Sequence, residues 1–95
     1  MLNSKQRAKL RAIANGYDTI LQVGKLGVSD EVIKQVDDAL TARELIKLRV
    51  QKSSPATAQE TASEIASLTK SEVVQVIGSR FVLYRRNPKK PVVEF

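Results

Sequence analysis

The chain is predicted to fold as an α/β domain in the order αβαβαββ, an α+β-like two-layer arrangement of three helices and a four-stranded mixed sheet. Three observations predict it. Apolar residues recur at helical spacing in three separated segments, short β-branched or alternating runs lie between and after them, and glycines or capping hydroxyls stand at the junctions.

"KQRAKLRAIAN", after a cap at Asn3 or Ser4, sets Leu10, Ile13 and Ala14 on one face of a first helix that Gly16 stops. At about 100° per residue, Lys5 and Lys9 fall on one flank of that face and Arg7 and Arg11 on the other. "TILQV", Thr19 to Val23, reads as a short strand ended by Gly24. Ser29 then caps a second helix with Val32, Ile33, Val36, Ala39 and Leu40 on one face and Lys34, Asp37 and Asp38 opposite.

"ELIKLRVQ" alternates, placing Ile46, Leu48 and Val50 on one side of a strand and Lys47 and Arg49 on the other, where they border a ligand or face solvent. Ser54 as cap and Pro55 at the first helical position predict a third helix, loosely held by Ala58, Ala62, Ile65, Ala66 and Leu68. "EVVQVI" and "RFVLYRR" flank Gly78 and Ser79, a Gly-X pair suited to a type II′ hairpin. Strand-helix-strand units of this length favour right-handed crossovers, so part of the sheet is expected to be parallel, with the final hairpin antiparallel. Residues 1–88 are expected to form one domain and 89–95 an irregular tail, because two prolines interrupt "NPKKPVVEF".

Composition narrows the function. The 95 residues contain neither cysteine nor histidine, which removes disulfides, zinc-finger spacings and the usual triads. No metal, cofactor or catalytic role is expected. Adjacent Asp37 and Asp38 point about 100° apart, and Ser53 beside Lys52 forms no catalytic constellation. The start has no apolar signal core and no stretch approaches a membrane span, so a cytosolic protein is expected; a monomer is expected as well. Sixteen Lys and Arg against ten Asp and Glu give +6, a charge suited to nucleic acid, an acidic protein partner or an anionic membrane surface.

The glycines bear on that choice. Gly24, Lys25, Leu26 and Gly27 form a G-x-x-G pattern between a strand and a capped helix, where backbone can approach a phosphate and Lys25 adds a mobile charge. A tight turn alone would also use these residues. Asp30 and Glu31 in the first helical turn partly cancel the helix dipole for an anion, leaving the loop backbone and Lys25 as the stronger contributors. The pattern is neither the P-loop nor the dinucleotide fingerprint, but it matches the loop with which KH modules clamp a nucleotide backbone. Lys5, Arg7, Lys9 and Arg11 lie within seven residues, and Arg85, Arg86, Lys89 and Lys90 within six, reinforcing a polyanion surface. Phe81 and Tyr84 should point to opposite faces of one strand, so they cannot form the paired stacking platform of an RRM.

"VGKLGVSDEVIKQVDDALTARELIKLRV" followed by "VVQVIGSRFVLYRRNP" resembles the YhbY or CRM-domain family, named for chloroplast RNA splicing and ribosome maturation. Three signatures carry the resemblance in order: the G-K-x-G loop, "RELIKL" from Arg43 to Leu48, and the hairpin from Val76 to Arg86. The resemblance implies a fold similar to the C-terminal domain of translation initiation factor 3. It also implies RNA binding, of the stand-alone bacterial kind that associates with large-subunit ribosomal precursors, with no DNA specificity. The site it implies comprises Gly24, Lys25, Leu26 and Gly27, with Lys5, Arg7, Lys9, Arg11, Arg85 and Arg86 as flanking cations. Arg43 would be a further phosphate contact or a cation favoured by the helix end. The other expectations are an adaptor for an acidic protein or membrane surface, or a general binder of structured RNA such as an intron.

Overall fold

Local side-chain chemistry sets where the helices begin. Asn3 caps α1 (Ser4–Ala14) by accepting from the Gln6 N–H at 2.8 Å, and the Gln6 side chain accepts from the Asn3 N–H at 3.1 Å. The Ser29 hydroxyl accepts from the Val32 N–H at 3.2 Å and caps α2 (Asp30–Arg43). Thr57 and Glu60 form a second reciprocal box, each bond 3.1 Å, at the start of α3 (Ala58–Thr69). α3 therefore begins later than the Ser54–Pro55 pattern predicts. Ser54 instead turns back on Ala56, and Pro55 belongs to the preceding loop.

The computed structural model describes residues 2–93. Met1 and the last two positions of the expected 89–95 tail, Glu94 and Phe95, lie outside the described residues.

The strands are β1 (Leu21–Val23), β2 (Leu45–Val50), β3 (Glu72–Ile77) and β4 (Arg80–Tyr84), in the sheet order β1-β2-β4-β3. β1 is shorter than the Thr19–Val23 run. The Ile20 N–H still reaches the Lys47 carbonyl at 3.0 Å, but the ladder residues begin at Leu21. β1 and β2 are parallel, joined through α2, and β4 is antiparallel to both β2 and β3. Gly78, at φ 58°, makes the tight β3–β4 turn, and a register shift between Val73 and Gln75 marks a bulge in β3.

Helices pack on both faces of the sheet, because its two sides each carry apolar side chains, so the expected two layers are three. α2 and α3 cover one with Val36, Leu40, Ala62 and Ile65, which meet Ile46, Leu48, Phe81 and Leu83. α1 lies on the other, where Leu10 and Ala14 pack on Leu45, Val74, Val82 and Tyr84. Phe81 and Tyr84 thus point to opposite faces, as their odd separation requires. Burying each large side chain contributes roughly 1.5–3 kcal/mol. α3 buries more of its length than its few large apolar residues imply: Ala58, Thr61, Ala62, Ile65, Ala66 and Thr69 are all buried. Leu68 lies off this stripe and is 58% exposed.

The segment after β4 has no regular element, yet it is fastened to the domain. Glu44, fully buried with φ 65° at the end of α2, accepts from the amides of Asn87 at 2.5 Å, Val93 at 2.8 Å and Val92. Burial opposes ionisation of this carboxyl, but those three amides and the Arg86 charge outweigh it and hold the group below its usual range. Val93 then packs beside the α1 core.

Candidate nucleic-acid interface

The G-x-x-G stretch is a β-turn. The Gly27 N–H donates to the Gly24 carbonyl at 2.9 Å, putting Lys25 and Leu26 at the exposed corner. Leu26 is 82% exposed, the most open large apolar side chain among the described residues. Gly27 is buried at φ 64°, and a Cβ there would stand 3.1 Å from the Pro55 ring. Its missing side chain therefore serves the turn and its packing on the loop before α3. At Gly24 a Cβ would meet the Gln51 Oε1 at 2.8 Å. With the Gly27 amide committed inside the turn, the amides of Lys25 and Leu26 at its corner have no partner among the described residues.

Beside this corner runs a groove of about 380 Å³, lined by the turn together with Ser29, Glu31, Val32 and Gln35. Its elements follow from the local sequence: Gly27 turns the chain, Ser29 starts α2, and residues 31, 32 and 35 share the flank of α2 next to the turn. Gln35 belongs to no motif; its spacing from the cap is the only signal that places it here. The groove offers a cation and amides at one lip, an apolar wall at Val32, and Glu31 and Gln35 as polar groups along the helix.

The expected flanking cations divide between two ends of the sheet. Tyr84 is paired with Leu45 and Glu72, at the opposite end of the strands from Val23 and Val50, so Arg85 and Arg86 lie away from the turn. α1 starts at that far end, where the Leu2 N–H donates to the Glu72 carboxylate at 3.1 Å, and finishes near Lys47 and Ile77. Lys5 is consequently remote from the turn and Arg11 nearer. Lys9 is exposed, whereas Arg7 is half-buried with an Nε that has no hydrogen-bond partner among the described residues.

Arg85 differs from its neighbour. Its guanidinium donates to the Asp37 carboxylate at 2.6 Å, the Asp37 carbonyl at 3.0 Å, the Thr41 hydroxyl at 2.8 Å and the Thr69 carbonyl at 2.9 Å. It ties α2, α3 and β4 together, and its donors are engaged inside the fold. Arg86 is exposed, as are Lys89, Lys90 and Arg43. Tyr84 is buried in the α1 core, and that burial, with the nearby Glu44 charge, raises the pKa of its phenol. It is not placed for base stacking.

No helix among the described residues is long and apolar enough to cross a membrane. A Bacillus subtilis protein, the candidate RNA-binding protein YqeI, is 39% identical over 94 residues, covering 99% of this chain and 98% of its own. A Haemophilus influenzae protein named simply as RNA-binding is 33% identical over 84 residues, covering 88% of this chain and 85% of its own. The solution structure of a Staphylococcus aureus protein, described as a candidate RNA-binding protein, superposes with a TM-score of 0.83 at 42% identity, covering 99% of this chain and 98% of that one. Residues 2–85 match the family model itself, and the chain belongs to the CRS1 / YhbY (CRM) domain family.

Proposed function

We propose that this chain binds RNA, holding a backbone phosphate at the Lys25–Leu26 corner and the adjoining nucleotide in the groove against α2. The carrying observation is the turn itself: an exposed lysine and two amides without a partner among the described residues stand at the lip of a groove of about 380 Å³. The amides and Lys25 are fixed and mobile donors to phosphate oxygens. Val32 supports a ribose or base face, while Glu31 and Gln35 accept from a 2′-hydroxyl or base amino group. Glu31 also disfavours a second phosphate at the start of α2, which confines the backbone to the turn side. Lys9, Arg11 and Arg86 add longer-range attraction, and Arg85 holds the elements in place. No reaction follows from this arrangement.

Phosphate contacts position an RNA without reading its sequence, so selectivity rests on shape and unpaired nucleotides. Taken with the family, this supports a role as a ribosome assembly factor that binds the rRNA of large-subunit precursors. The test compares wild type, Lys25→Ala and Lys90→Ala for binding to single-stranded RNA across a salt series, and for co-sedimentation with large-subunit precursors. Lys25→Ala is expected to bind about tenfold more weakly, as loss of one charge-assisted contact predicts, and to leave the precursor fractions. Lys90→Ala should behave nearly as wild type. Equal losses in both lysine variants would mean that net charge alone drives binding, as for an acidic protein or membrane partner, and would overturn the groove reading.

A further inference from the structure

The α1-side face of the sheet is only partly covered. α1 has 11 residues, about 16 Å, and ends at Asn15 beside a cavity of about 170 Å³ lined by Lys47, Gln75, Ile77, Arg80 and Val82. Beyond it the register aligns Gln22, Arg49, Arg80 and Ile77 in one row across all four strands. Strand alternation turns this row away from the core that holds Leu48, Val50 and Phe81, and onto the α1 side. Arg49 and Arg80 are exposed and Ile77 is 60% exposed. Lys47 belongs to the next row, paired with Val82.

Arg49 and Arg80 are direct cross-strand partners, and like charges so placed disfavour the sheet. No acid offsets them: neither row contains one, and the ion pair found among the described residues is Arg85–Asp37. The row also adjoins the turn. Gln22 lies two residues before Gly24, its side-chain oxygen accepts from the Gln51 side-chain Nε2, and Gln51 packs against Gly24. The ends of β1 and β2 and the Gly78–Ser79 hairpin share this edge, where the Val50 N–H meets the Ser79 carbonyl at 2.7 Å.

We propose that this bare end of the sheet is a second RNA contact, continuous with the turn, over which a single strand leaving the groove lays its backbone. Arg49, Arg80 and Lys47 meet its phosphates, Gln22 and Gln75 meet base edges or riboses, and Ile77 gives an apolar support. An unpaired strand fits better than an acidic protein, because the cations are interleaved with amides able to pair with bases and lead directly to the phosphate-type corner. The proposal rests on the reading of the turn, and its test separates the two.

Wild type, Lys25→Ala and the double variant Arg49→Gln/Arg80→Gln would be titrated with oligouridylates of 4 and 12 nucleotides at several salt concentrations. A KH-type loop engages about four nucleotides, so the short probe reports the turn alone. The double variant should bind the 4-mer as wild type does but the 12-mer at least about tenfold more weakly, with a salt slope smaller by about 1.4 for two lost single-strand contacts. Its melting temperature should not fall, since a facing like-charge pair is removed. If it binds the 12-mer with wild-type affinity and slope while Lys25→Ala is weakened, the sheet contact is overturned and the turn stands. If only the double variant loses the 12-mer, the sheet contact stands and the turn falls. Displacement of the 12-mer by polyglutamate at equal concentration and salt would make the face a protein surface and overturn the proposal.

Discussion

Gly27 combines a left-handed backbone with close packing on the Pro55 ring, which lies 28 positions away in the chain. Alanine at Gly27 is expected to cost at least about 1–2 kcal/mol, from its left-handed backbone and the 3.1 Å contact, read as a lower denaturation midpoint. Alanine at Gly24 should cost less than about 1 kcal/mol, because its close neighbour is the movable end of Gln51. Of the adjacent arginines, only the fold shows that Arg85 meets Asp37 while Arg86 stays in solvent. Glu44 was equally opaque, since nothing in "RELIKL" announces a carboxylate that collects three amides from the segment after β4. Its pKa is lower folded than unfolded, so its stabilisation is full above the ordinary carboxylate range and lost as pH falls through the depressed value. Exchange protection at Asn87, Val92 and Val93, corrected for the intrinsic rate, should therefore fall in acid before that of the core strands, and Glu44→Gln should remove this pH dependence.

The elements themselves were largely readable, because capping residues and hydrophobic period act locally. All seven elements occur in the expected order, with differences at boundaries where two local chemistries compete. Ser54–Pro55 and Thr57–Glu60 are both plausible helix starts, and the reciprocal box prevails. Thr57→Ala should accordingly cost about 1 kcal/mol and fray the first turn of α3, seen as faster exchange of the Glu60 amide. How tightly an element is held was less visible: α3 is poor in large apolar side chains yet buries six residues. Coupling between elements was not visible at all. Arg85→Ala is expected to destabilise by roughly 2 kcal/mol by leaving α2, α3 and β4 without their shared donor, whereas Arg86→Ala should leave the unfolding midpoint unchanged.

At the scale of the molecule, the sheet register decides which cations act together. Sequence runs group Lys5 with Arg11 and Arg85 with Lys90, but strand direction places Lys25, Arg49 and Arg80 at one end of the sheet and Lys5 and Arg86 at the other. Arg80 lies in no basic run, and only its pairing opposite Arg49 gives it significance. An amide chemical-shift titration with a four-nucleotide single-stranded RNA reports position as well as affinity, and so decides whether RNA is held at the turn and its groove. Binding there should give saturable shifts at Lys25, Leu26, Val32 and Gln35 while Lys5 and Arg86 stay still; shifts confined to Lys5, Lys9 and Arg86, with the turn unmoved, would overturn that reading.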